Sequence, residues 1–176
     1  MFEPLSAIPG LGFQERQDLV RAFVRSNKQN LLSVVDFPEE QYSRNIVFKN
    51  QGIEVMLTGW KPLRECWPHD HGGSHGLVYL IEGTALNTIY DINNGKLKKV
   101  TAKEFQSENF ISMPEVYIHS MKNNSQNKRM VEMHLYWPSF SSMKIYDREK
   151  SIMYEVKGTC GAWEPREEEI IRSEHF

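Results

Sequence analysis

The chain has 176 residues, 40% hydrophobic and 25% charged, with a formal net charge of -2. That size suits one domain with one sizeable core, and the composition suits a folded, soluble chain and not a disordered one. The balance lacks the basic footprint of a nucleic-acid binder, no apolar run reaches the ~18 residues of a membrane span, and the N-terminus lacks the charged start and apolar core of a secretion signal. Cys66 and Cys160 are the two cysteines. Two thiols make no disulfide framework and fit a reducing cytoplasm.

Taken in order, the chain opens with Pro4, Pro9, Gly10 and Gly12, which read as a loop. From Phe13 to about Ser26 the spacing predicts an amphipathic helix, with Leu19, Val20, Phe23 and Val24 as its apolar stripe. A second short piece, helical or irregular, is expected over 30–35, so the N-terminal helical segment covers about 13–35 and packs outside the sheet. The texture then changes to short β-rich runs separated by turn residues. Candidates are 45–49, 53–60, 76–81, 85–91, 97–101, 109–113, 118–123, 130–137, 143–146 and 152–156. Asn93-Asn94-Gly95 between two of them is a hairpin signal. Many short strands with regular turns predict an all-β sandwich or barrel over about 42–157. Residues 158–176, with Glu167-Glu168-Glu169, read as a mostly solvated C-terminal arm, with room for one helical turn, of a single domain spanning 1–176.

The chemistry concentrates in Trp67-Pro68-His69-Asp70-His71-Gly72-Gly73-Ser74-His75. In an extended segment, His69 and His71 point to the same side. Two imidazoles aimed at one point are the start of a metal site, and His119 supplies a third. Imidazole suits iron, zinc, copper and nickel alike, so spacing alone does not choose the metal. Four of the six histidines, His69, His71, His75 and His119, lie in these two stretches.

The wider pattern resembles the two cupin motifs, in which a His-X-His pair and a third His hold one metal inside a jelly-roll β-barrel. Gly83 closes a strand after the pair, and Pro114 and Asn123 flank His119. Most cupins add a Glu five positions after the pair; here that position is Gly76. Three neutral imidazoles leave a divalent metal its full charge, which suits an incoming thiolate.

With these residues assembled, the chain resembles the cysteine dioxygenase (thiol dioxygenase) family of cupins, from about Tyr42 to Phe140. His69, His71 and His75 match the family's metal pair and neighbouring His, and His119 its third ligand. His134-Leu135-Tyr136, followed by Pro138, matches its late-strand His-X-Tyr, and Tyr42-Ser43-Arg44-Asn45 its Tyr-X-Arg-Asn. The resemblance implies an Fe(2+) enzyme that adds both atoms of O2 to a thiol sulfur. It implies that Arg44 pairs with the substrate carboxylate, that Tyr42 lines the same pocket, and that Tyr136 and His134 stand beside the substrate. His75 is expected at the second shell or the pocket edge. The expected partners are a small thiol amino acid and O2, in a cytoplasmic monomer or weak homo-oligomer without nucleic-acid or membrane binding.

Two positions depart from the family. Mammalian members carry a Cys, thioether-linked to the active-site Tyr, where this chain has Gly76, as many bacterial relatives do. The family's Ser before His-X-Tyr is Glu132, which by alternation shares the face of His134 and Tyr136. A buried carboxylate needs a partner, so Glu132 either pairs with His134 or sits at the barrel mouth. The expected substrate is L-cysteine; another small thiol such as 3-mercaptopropionate, or metal binding without turnover, remains the alternative.

Overall fold

Residues 1–176 are described by a computed structural model. A 3-10 helix at Glu3–Gly10 leads into one α-helix, α1, over Phe13–Ser33. The helix is continuous where two pieces were expected. Val20, Phe23, Val24 and Leu31 are all buried along it, so packing carries it through Ser26, Asn27 and Asn30, which have weak helix propensity.

Eleven strands follow: β1 (Ser43–Lys49), β2 (Glu54–Trp60), β3 (His75–Glu82), β4 (Thr84–Ile92), β5 (Leu97–Gln106), β6 (Phe110–Met113), β7 (Ile118–Asn123), β8 (Met130–Trp137), β9 (Ser142–Asp147), β10 (Ile152–Lys157) and β11 (Ile170–His175). One sheet has the order β1-β2-β8-β3-β6. Two three-stranded groups, β5-β4-β7 and β11-β10-β9, are stitched together by residues 64–70. In that segment His69 bridges both His119 of β7 and Ile145 of β9. The backbone N–H groups of Cys66, His69 and Asp70 donate to Met121, His119 and Lys144, and those of Asn123, His119 and Tyr146 donate to Arg64, His69 and Pro68.

The architecture is a jelly-roll of two facing sheets with the N-terminal helices outside. One core cluster joins Met56, Val78, Leu80, Met113 and Met130 of the first sheet to Ala85, Met121, Met143, Ile145 and Val156 of the second. A second cluster seats Leu5, Ile8, Val20, Phe23, Val24 and Leu31 on Val55, Leu57, Leu77, Tyr79, Val131, Met133 and Leu135. The first sheet is therefore covered on both faces. That is why β2, β3 and β8 read as near-continuous apolar runs and not as strict alternation.

The C-terminal arm differs from the sequence reading. After one 3-10 turn at Glu167–Glu169 it adds β11 to the edge of β10. Five of the six β11 residues are exposed, so no hydrophobic period marked it as a strand. No helix of the protein is long and apolar enough to cross a membrane.

Candidate metal centre

Backbone register places the polar residues. His69 and His119 exchange two backbone hydrogen bonds, each 2.9 Å, which sets the ligand segment beside β7. After His71 the chain turns at Gly72, with φ +59°, and a Cβ there would meet the Ser142 carbonyl oxygen at 2.1 Å. Only glycine suits both the left-handed backbone and that approach. Asp70 fixes the same turn: its Oδ1 accepts from the backbone N–H groups of Gly72 (3.1 Å) and Lys144 (2.9 Å).

The ligand atoms of His69, His71 and His119 lie within 4.8 Å of one another. All three residues are buried. His69 Nδ1 donates to the Trp67 carbonyl at 2.9 Å, and His119 Nδ1 donates to Asn87 Oδ1 at 2.8 Å. A neutral imidazole has one N–H, so both Nε2 atoms present lone pairs. His119 Nε2 stands 3.2 Å from His71 Nε2. Two nitrogens, each about 2.0–2.1 Å from one metal ion, are separated by roughly 2.8–3.4 Å at octahedral to tetrahedral angles. The donor set therefore fits a metal ion. His71 Nδ1 is buried without a partner, so no hydrogen bond opposes use of its Nε2.

Burial pushes the His69 imidazole down to about 4, and pushes His71 and His119 well below the ordinary range, with neighbouring imidazoles adding to the shift. Neutral rings are the form that binds metal.

The first sheet supplies the opposite wall. Across it, Arg44 pairs with Thr58, Thr58 with Glu132, Met56 with His134, and Glu54 with Tyr136, which in turn pairs with Gly76. Arg44, Thr58, His134 and Tyr136 line one cavity with the three histidines, and Tyr42, Met56, Trp60, Cys66, Met121, Phe140 and Met143 complete it. Its empty space is about 370 Å3 with the open mouth included.

Arg44 already holds part of the protein. Its Nη1 donates to the carbonyls of Thr159 (2.9 Å) and Cys160 (2.5 Å), and its Nη2 to that of Gly158 (3.3 Å). Nε–H and one remaining Nη2–H are left for a ligand. Tyr42 stacks on Trp60 at 4.0 Å, and its hydroxyl accepts the Ala162 N–H at 2.9 Å. Both residues thus pin the loop after β10 to the cavity wall. Burial raises the Tyr42 and Tyr136 hydroxyls above the ordinary phenol range.

Of the two places open to Glu132, the structure gives the buried one. Glu132 is fully buried, with Oε2 3.2 Å from His134 Nε2. His134 Nδ1 lies 2.9 Å from the Tyr136 hydroxyl. His75 is not brought to this cavity. It is half exposed on the far side of β3, 3.7 Å from Glu115 and against Trp137; that corrects its placement at the pocket edge. Gly76 faces Tyr136, and a Cβ there would meet Met113 Cβ at 2.9 Å and Tyr136 Cε1 at 3.2 Å. With no side chain at this position, no thioether to Tyr136 forms.

Sequence reasoning missed Asn87, Thr58 and the polar use of Trp60, whose indole N–H donates to Thr58 Oγ1 at 2.9 Å. Asn87 left a trace: Asn is depleted in strands, yet it sits mid-β4. Thr58 left none, because its role depends on a partner 74 positions away. Cys66, read as a plain thiol, is buried in the cavity wall, and burial pushes it up to about 12, so it is a thiol and not a competing thiolate.

The family model for cysteine dioxygenase type I matches residues 11–149. The chain belongs to the cysteine dioxygenase family. Its members are oxidoreductases that act as dioxygenases, and the three-histidine group here fits their need for a metal cofactor. The chain is 28% identical to cysteine dioxygenase type 1 of Danio rerio over 155 residues, 85% of this chain and 77% of that one. A double-stranded β-helix protein of Klebsiella pneumoniae superposes with a TM-score of 0.54 at 13% identity, covering 66% of this chain and 94% of that one. A cupin domain of Schizosaccharomyces pombe does so with 0.51 at 11%, covering 61% and 72%. Those two likenesses concern the fold alone.

Proposed function

We propose that this cysteine dioxygenase relative is an Fe(2+) thiol dioxygenase whose substrate is L-cysteine. The observation that carries the reading is the pairing of three buried, neutral, convergent imidazoles with a guanidinium in one small cavity. The reaction balances without an added reductant: R–SH + O2 gives R–SO2H, the sulfur losing four electrons and O2 gaining four. Iron(II), held by the three imidazoles, would supply the redox chemistry between thiol and O2.

The chain's own residues do the rest. His69, His71 and His119 hold the metal through Nε2, with Trp67 and Asn87 orienting two of the rings, as the outer partners of metal ligands do. The free N–H groups of Arg44 bind the substrate carboxylate. Tyr42 walls the pocket and ties down the loop after β10. Met56, Met121, Met143 and Phe140 exclude water from the reacting sulfur. His134 and Tyr136 face the substrate from the first sheet, and His75 takes no part.

The test is oxygen consumption by iron(II)-loaded protein with L-cysteine, D-cysteine, 3-mercaptopropionate and cysteamine. Fast uptake with L-cysteine, coupled to one sulfinate per O2, is the expected result. Preference for another thiol keeps the reaction and changes the substrate. No uptake with any thiol, in protein that holds iron, leaves a metal-binding cupin without turnover.

A further inference from the structure

The hydrogen bonds around His134 determine which way the Tyr136 hydroxyl points. Glu132 Oε2 accepts the Thr58 hydroxyl at 3.2 Å. Thr58 Oγ1 already accepts the Trp60 indole N–H, so with its own hydrogen given to Glu132 it offers His134 nothing but a lone pair. His134 Nε2 lies 3.2 Å from both Thr58 Oγ1 and Glu132 Oε2. With one proton on the ring, the two acceptors facing Nε2 hold that proton there. Nδ1 is then a bare acceptor, and the hydroxyl 2.9 Å from it, Tyr136, must donate. Tyr136 has no other hydrogen-bond partner and lines the metal cavity. What its oxygen shows to that cavity is lone pairs.

A serine in place of Glu132, the residue of the family pattern, could either donate or accept and would leave the direction open. A carboxylate leaves one direction. We propose that Glu132, acting through His134, fixes Tyr136 as a hydrogen-bond acceptor facing the metal cavity, and that the site therefore selects thiols carrying an N–H donor over thiols without one. This rests on the thiol dioxygenase reading and adds a positioning residue to it. L-cysteine and 3-mercaptopropionate form the matched pair, since both carry the carboxylate for Arg44 and the amino group is the difference.

The test has two readouts. In metal-free protein with 15N-labelled histidine, long-range 1H–15N correlation reports which ring nitrogen of His134 is protonated. The expected result is Nε2 alone; a proton on Nδ1, or on both nitrogens, overturns the inference. In iron-loaded protein, the isosteric Glu132→Gln brings an amide that can donate to Nε2 and so populates the other tautomer. The ratio of kcat/KM for L-cysteine over 3-mercaptopropionate should then fall roughly fivefold, the worth of one hydrogen bond. An unchanged ratio would sink the selection. The tautomer needs no turnover: a wild-type protein that oxidises no thiol overturns the dioxygenase reading and the thiol preference together, whereas a wrong tautomer in an active enzyme overturns the inference alone.

Discussion

Asn87 accepts the Nδ1–H of His119 and touches no ligand position itself. Its replacement should therefore weaken the metal without removing a ligand. Asn87→Ala is expected to lower metal affinity roughly ten- to a hundredfold, read by competition with a chelator, whereas His119→Ala should lose the metal outright; wild-type affinity in Asn87→Ala would show that the ring is held by its strand alone. Arg44 has two duties that one experiment separates. As a carboxylate reader, its loss should cost up to about 3 kcal/mol of binding for L-cysteine and spare cysteamine. As a brace for the carbonyls of Gly158, Thr159 and Cys160, its loss should slow both thiols alike. Steady-state kinetics of Arg44→Ala with the two substrates decides between them. At this scale, the sequence exposes residues whose type is rare or whose spacing is short. The His-X-His pair and a carboxylate inside an apolar strand stand out unaided. Thr58 does not, because it acts through Glu132 and His134, and their meeting depends on strand register.

Among the elements, β2 and β8 show how burial on two faces shapes a sequence. Leu57 is fully exposed to neither solvent nor cavity; it lies at 0% accessibility between α1 and the sheet. Leu57→Ala should cost about 2–5 kcal/mol, measured by urea unfolding, with the metal ligands, none of which the first sheet carries, untouched. The edge pair β10–β11 is held differently. The Arg172 guanidinium, 2.7 Å away, and the Ser142 hydroxyl keep the Glu155 carboxyl below the ordinary carboxylate range. A depressed folded value means this contribution is complete above the ordinary range and is lost as pH falls through the depressed one. In an acid titration followed by NMR, β11 amides should leave their native positions before those of β2, β3 and β8; simultaneous loss would show that the edge is no weaker than the centre. The contrast explains what was legible. Strands with an apolar face could be located to within a few residues, and β7 and β8 were placed at their ends. β11 was invisible because its attachment is backbone pairing and charge.

Over the whole molecule, the two clusters divide the labour: one joins helix to sheet, the other joins sheet to sheet around the cavity. The sequence made the sandwich legible through its turns and short strands, but not the stitching of the second sheet by residues 64–70, which lies outside any strand pattern. Metal bound by His69, His71 and His119 ties that segment to β7. At a hundred times the dissociation constant, a ligand specific to the folded state adds about 2.7 kcal/mol, so iron(II) or zinc should raise Tm by roughly 5–10 °C in differential scanning fluorimetry. An unchanged Tm would mean that the three histidines do not bind it. The same stitch has a consequence for the protein's life in a cell. The segment that holds the metal also holds two halves of a sheet together, so the unloaded chain opens more often, and open chains are what proteases remove. Supply of the metal would then govern how much of the protein survives turnover, and a shortage would lower its abundance along with its activity.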